Sequence, residues 1–313
     1  MAARMSEIAV ILPCYNEEAA IANTVRAFRE ALPQAQIYVY DNNSKDRTAE
    51  VARGAGAIVR TEIRQGKGNV MRRMFADVEA DIYVLADGDD TYDASAAPAM
   101  IAKLEDEGLD LVTGRRIHTE AAAYRAGHVL GNRMLTGLTS LMFRVRLLDM
   151  LSGYRVMSRR FVKSFPFTAA GFGIETELTV HAVRLMMPMA EVDTKYKERP
   201  AGSASKLNTY RDGFRILFTI LQLVREERPF LFFGVIAALL TAIALAFGGS
   251  LLVEFIDTGL VPRLPTALLA TGLVIIAFLS LMTGLILDTV TRGRWESKRM
   301  AYLALGGPQS RSQ

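Results

Sequence analysis

Two uninterrupted apolar runs limit what this chain can become. Pro229 to Val253 carries no charge, and neither does Leu264 to Leu287. Each exceeds the ~20 residues with which a helix crosses a hydrocarbon layer about 30 Å thick. The link between them is short and holds Asp257, Pro262 and Arg263. Two spans joined this way form a hairpin, with both outer ends on one side of a bilayer. Arg225, Arg228, Arg292, Arg294, Lys298 and Arg299 flank those ends. Positive charge is retained in the cytoplasm, so the outer ends are expected there and the link outside. The competing reading is a pair of core helices, which the span length and flanking charge oppose. Just before the first run, Asn208 to Glu227 is amphipathic, with Phe214, Leu217, Phe218, Leu221 and Val224 on one face. That pattern suits a helix lying on a membrane, and equally one packed on a soluble domain.

The first two thirds follow a different rule. Short apolar runs at Ile8–Leu12, Ile37–Tyr40, Ala57–Arg60, Asp81–Ala86 and Leu109–Thr113 read as buried parallel strands. Helical spacing fills the gaps at Glu17–Ala31, Asp46–Arg53, Gly66–Val78 and Ala97–Glu107. Alternating strands and helices predict an open α/β sheet. Beyond Gly114 the alternation breaks. Arg115 to Asn132 reads as a polar connection and Met134 to Phe143 as an apolar segment. Glu175, Glu177 and His181 fall on a helix, and Val192 to Glu198 forms a strand.

Ligands of open α/β sheets bind beyond the carboxyl ends of strands. Three polar clusters stand at such ends: Pro13–Glu18, Asp41–Asp46 and Asp87–Asp90. In the last, Asp87 and Asp89 flank Gly88. Two carboxylates one residue apart can hold Mg²⁺ or Mn²⁺, which in turn holds a diphosphate. The bland alternative is an acidic turn. Asp41 can accept a hydrogen bond from a nucleobase N–H, and Lys67, at a helix start, can reach a phosphate. Their ordinary roles would be a turn residue and solvated surface, and Asp46 is expected to cap a helix. The net charge of +4 and the basic residues near the apolar runs suit phosphates and anionic lipid. No basic stretch interleaved with aromatics suggests nucleic acid. A lone cysteine, Cys14, excludes an intrachain disulfide and a cysteine-based zinc site.

Taken in order, strand–PCYNEE, strand–DNNSKDRT and strand–DGD resemble the nucleotide-sugar half of family 2 glycosyltransferases, which implies the GT-A fold. Asp149-Met150-Leu151-Ser152-Gly153-Tyr154-Arg155 is similar to the D-x-x-[SC]-G-[FY]-R block of polyprenyl-phosphate sugar synthases. Arg199 to Lys206 resembles their R-x-x-G-x-S-K segment, with one residue more before Ser-Lys. The resemblance implies a donor site walled by Pro13, Tyr15, Glu17, Asp41, Lys67 and Asp87. It implies a cation on Asp87 and Asp89, catalytic roles for Asp89, Asp149 and Arg155, and phosphate contacts from Arg199, Ser203, Ser205 and Lys206. Arg155 is a candidate partner for Asp149, and Glu177 for His181, four residues on.

The expected organisation is a donor half over 1–115, an acceptor half over 116–207 and a juxtamembrane helix over 208–228. A transmembrane hairpin over 229–288 and a cytoplasmic tail over 289–313 follow. The expected reaction moves a sugar, with inversion, from a nucleotide-sugar (UDP slightly preferred, GDP-mannose the alternative) to polyprenyl phosphate at the inner membrane. A non-catalytic membrane scaffold is the rival of another class, opposed by intact acidic residues at all three strand ends. A homo-oligomer is left open.

Overall fold

A computed structural model describes residues 6–118, 126–166, 173–197, 218 and 220–307 of the chain. Two compact units emerge, one of Met1–Ile216 with Lys298–Gln313 and one of Leu217–Ser297.

The first unit is built on a seven-stranded sheet. Its strands are β1 (Ile8–Cys14), β2 (Gln36–Asp41), β3 (Ile58–Thr61), β4 (Ile82–Leu85), β5 (Leu111–His118), β6 (Arg155–Ser158) and β7 (Met189–Tyr196), in the order β3-β2-β1-β4-β6-β5-β7. β1 runs parallel to β2 and β4, and β2 to β3. β6 alone is antiparallel to its neighbours β4 and β5. That reversal matters for the site. An antiparallel strand begins where its parallel neighbours end, so the loop entering β6 reaches the carboxyl end of β4. β1 and β4 are apolar and buried because both faces are covered. Helices α1 (Ile21–Ala31) and α4 (Ala97–Asp106) send Ile21, Val25, Phe28, Met100, Ile101 and Leu104 into the core they share with the strands. Helices α2 (Thr48–Gly54), α3 (Lys67–Asp77), α5 (Ala126–Phe143), α6 (Arg159–Ser164) and α7 (Ile174–Arg184) complete the unit.

The polar connection expected over Arg115–Asn132 is corrected at both ends. β5 continues to His118 because it pairs with β7 along its whole length, Leu111 opposite Met189 through His118 opposite Tyr196. α5 begins at Ala126, earlier than the apolar segment suggests. α1 starts at Ile21 rather than Glu17, since Glu17 and Glu18 are drawn into hydrogen bonds with the next loop.

The second unit holds two long helices, α8 (Pro229–Thr258) and α9 (Leu264–Leu303), the latter ending in the first unit. Only 11% and 17% of their most apolar windows is buried, whereas core helices of a soluble protein would be mostly covered. They are candidate membrane spans. Within the unit, small residues recur every seventh position: Ala237 and Ala244 on α8, and Ala270, Ala277 and Gly284 on α9 are buried. Small side chains let helix backbones approach where no hydrophobic effect drives association. Residues 220–227 are helical, while 208–217 and 219 of the expected juxtamembrane helix lie outside the described residues.

Candidate active site

The carboxyl ends of β1, β2 and β4 carry backbone that few residues adopt. Asn16, Asn43 and Asp90 have φ of 54°, 59° and 58°. Asn and Asp tolerate this left-handed region better than other non-glycine residues, and such outliers cluster at functional sites. The first two loops are stitched together. Asn16 N–H donates to Ser44 Oγ at 2.9 Å, Lys45 N–H to Asn16 Oδ1 at 2.8 Å, and Glu17 N–H to Thr48 Oγ1 at 2.8 Å. Asp46 holds Thr48 N–H at 3.0 Å and Glu18 N–H at 3.2 Å, so it fastens two loops as well as the start of α2.

Pro13 is buried in β1, Tyr15 and Glu17 stand half-buried beyond it, and Asp41 ends β2. Asp41 is 6% exposed. Its Oδ2 accepts from Ser44 N–H at 3.2 Å, while its buried Oδ1 has no partner. A buried carboxylate oxygen without a donor is costly, and a ligand N–H would relieve it. Cys14 lies under this cluster. Burial, then the charges of Glu17, Asp87, Asp41 and Asp89, push its thiol well above its usual range, which keeps it unreactive.

Asn42, 4% exposed, builds the approach to Lys67. Its Nδ2 donates to the carbonyls of Glu62 and Arg64, and its Oδ1 accepts from Gly66 N–H at 2.7 Å. Gly66 has φ of 125°, which only glycine adopts readily, and α3 starts at the next residue. Lys67 is therefore no solvated surface residue. Its Nζ donates to Asp87 Oδ1 at 2.5 Å and to Glu175 Oε1 at 2.6 Å. Burial works against the ammonium, but the two carboxylates outweigh it and hold its pKa above the usual value. Glu175 sits below the ordinary carboxylate range, burial opposing and Lys67 prevailing. Asp87 is raised by burial and by the like charges of Asp89 and Glu175, against Lys67. Asp89 is 2% exposed, and its Oδ1 accepts from Thr91 Oγ1 at 2.6 Å.

The D-x-x-S-G-Y-R block meets this cluster from the other side. Gly153 packs so close that a Cβ there would stand 2.8 Å from Asp87 Oδ2 and 3.2 Å from Tyr92 Oη. Its N–H donates to Tyr92 Oη at 2.8 Å. Asp149 does not pair with Arg155. Arg116 grips it in a bidentate fork, Nε to Oδ2 and Nη2 to Oδ1, each at 2.7 Å. No local spacing signals this pair, because Arg116 falls in the stretch expected to be a polar connection. Arg155 is fully buried and donates to the carbonyls of Ser152, Met150 and Glu175 and to Thr179 Oγ1. Burial pulls its pKa down to about 10. It ties the motif loop to the start of α7. His181 faces Ser164, Phe161 and Phe165 rather than Glu177, its Nε2 lying 3.2 Å from Ser164 Oγ. Arg199, Ser203, Ser205 and Lys206 lie outside the described residues.

For a divalent cation, the donors fit a hard ion. Asp87 and Asp89 would supply carboxylate oxygens, and among the described residues no group of three His, Cys, Asp or Glu forms a closed site. Mg²⁺ and Mn²⁺ are commonly held by one or two carboxylates, with water and substrate phosphates completing the shell.

A mixed sheet in this order, with acidic loops at the ends of β1, β2 and β4, defines a GT-A glycosyltransferase. The chain belongs to glycosyltransferase family 2, whose model matches residues 9–165. It is 32% identical over 240 residues to the glycosyltransferase AglJ of Haloferax volcanii, covering 76% of this chain and 78% of AglJ. The dolichyl-phosphate hexose transferase of the same organism is 29% identical over 222 residues, 71% of this chain and 96% of that one. Among solved structures, glucosyl-3-phosphoglycerate synthase from Mycobacterium tuberculosis with Mn²⁺ and UDP-glucose superposes with a TM-score of 0.55 and 25% identity, covering 70% of this chain and 78% of that one.

Proposed function

We propose that this transferase moves a sugar from a nucleotide-sugar, UDP-linked by preference, to the phosphate of a membrane polyprenyl phosphate. The observation that carries the acceptor assignment is the pair of exposed apolar helices on a family 2 catalytic domain. A transferase resident in the bilayer meets lipid phosphates at high local concentration. The likeness to a dolichyl-phosphate hexose transferase agrees with that reading. The unpartnered Oδ1 of Asp41 suits the imide N–H of uracil, with Pro13, Tyr15 and Glu17 walling the base and ribose. Guanine also offers an N–H, so GDP-mannose is the second donor to try.

Asp87 and Asp89 would hold Mg²⁺ or Mn²⁺, which supplies charge neutralisation for the nucleoside diphosphate. Lys67 spends two of its three N–H donors on Asp87 and Glu175, and the third can meet a phosphate oxygen. The anomeric carbon loses its bond to the diphosphate, which leaves with the electron pair, and gains one to the lipid phosphate oxygen. That oxygen is already ionised near neutral pH, so no general base is needed. Asp149, clamped by Arg116, serves in positioning, and Arg155 holds the loop between them. Arg199, Ser203, Ser205 and Lys206 contribute phosphate contacts. The domain divisions at 115, 207, 228 and 288 follow the same reading, with the catalytic domain facing the cytoplasm, where sugar nucleotides are made.

The test is phase partition. Full-length protein with labelled UDP-sugars or GDP-mannose, Mn²⁺ and a polyprenyl phosphate should carry label into the organic phase. Label confined to a water-soluble product would contradict the lipid acceptor.

A further inference from the structure

An ammonium already occupies the carboxylate assigned to the divalent cation. Lys67 Nζ lies 2.5 Å from Asp87 Oδ1 and 2.6 Å from Glu175 Oε1, one cation shared by carboxylates from the two halves of the domain. An ammonium and a dication on the same carboxylate repel strongly in a partly buried site. The lysine must therefore yield when the metal binds. Cast off into a half-buried pocket without a partner, it would carry a desolvation penalty. Glu175 removes that cost, because it is already in contact.

The geometry suits a short transfer. Lys67 is the first residue of α3, and its flexible stem carries three rotatable donors. The root of Glu175 is fixed, its carbonyl accepting from Arg155 Nη2 at 2.9 Å and from Thr179 Oγ1 at 3.0 Å. Exposures of 34% for Lys67, 29% for Asp87 and 19% for Glu175 leave the trio open to an entering ion.

We propose that Glu175 is a parking carboxylate for Lys67: in the cation-free protein the ammonium neutralises Asp87, and it moves wholly onto Glu175 as a divalent cation arrives. This rests on Asp87 and Asp89 being the cation site. Glu175 is then a positioning residue, acting on the cation only through Lys67. The displaced ammonium turns its other donors to the incoming diphosphate, so cation and donor binding reinforce each other.

Mn²⁺ binding to the full-length protein, without nucleotide, tests this by the resonance signal of free Mn²⁺. Glu175→Gln should weaken binding roughly tenfold, because Lys67 then stays on Asp87. Lys67→Met should tighten it. In the Lys67→Met background, Glu175→Gln should change affinity by no more than about twofold. Glu175→Asp, which keeps the charge but shortens its reach, should fall between wild type and Glu175→Gln, and guards against a glutamine variant that folds poorly. Equal weakening by Glu175→Gln in both backgrounds would overturn the proposal, since Glu175 would then act on the cation directly. So would no weakening at all. Asp89→Ala separates the two levels. If it binds Mn²⁺ as wild type does, the cation site itself is misassigned and the parking role falls with it. If it abolishes binding while Glu175→Gln leaves it intact, only the parking role fails.

Discussion

Gly153 is where the two motif halves touch, and it has no room for a side chain. A methyl group there would press on the Asp87 carboxylate and Tyr92 hydroxyl, at 2.8 and 3.2 Å. Gly153→Ala should therefore displace Asp87 and lower turnover by about 10- to 100-fold, as small misplacements at reacting centres do. Melting temperature should fall little by comparison, and a variant with wild-type turnover would remove Gly153 from the site. His181 gives a second prediction. Burial, then the charge of Lys298, lowers its pKa from 6.5 to about 3. The unfolded chain takes up a proton on this ring below about pH 6.5, and the folded protein does not until about pH 3. Stability contributed by the neutral ring is complete above that window and is lost as pH falls through it, by up to about 1.4 kcal/mol per pH unit. Denaturant titrations between pH 7 and 4 should follow that slope, and His181→Leu should flatten it. At this scale the sequence was informative about position: Asp41, Asp87 and Asp89 were legible as strand-end residues. Arg116 and Asn42 were not. Their roles come from partners far along the chain, Asp149 and the loop of Glu62 to Gly66, which no local spacing reveals.

Among the elements, those with an unbroken period could be read directly. The strands of the first half and the two apolar helices declare themselves by composition. β5 beyond Gly114 did not, because Arg115 and Arg116 extend it as a polar strand paired to β7, with Arg115 bonded to Asp193. The end of α9 was also opaque. Tyr302 reads as tail, yet its hydroxyl donates to Asp110 Oδ2 at 2.8 Å and its ring lies under the Arg160 guanidinium at 4.8 Å. Asp110 is fully buried and also accepts from Ser158 and Arg160. From Lys298 onward the chain is thus part of the first unit. Tyr302→Phe should cost about 1.5–3 kcal/mol, the range for a hydrogen bond to a charged group. Chemical denaturation of the full chain checks this, and an unchanged midpoint would mean that the tail adds nothing to the domain.

At the scale of the whole molecule, residues before and after both apolar helices fall in the first unit. The proposed topology places that unit in the cytoplasm and the Asp257–Arg263 link outside. In a Cys14→Ser background, Thr258→Cys should react with an impermeant thiol reagent from outside spheroplasts, and Met300→Cys should not. The reverse pattern would overturn the orientation. The central claim is that a single sugar passes to a polyprenyl phosphate that keeps its one phosphate. Mass spectrometry of the lipid recovered from full-length protein, Mn²⁺, a polyprenyl phosphate and a panel of sugar nucleotides tests it most directly. The account predicts a lipid heavier by one sugar residue, with no phosphate added. A lipid carrying a second phosphate beneath the sugar, or one left unmodified by every donor, would contradict it.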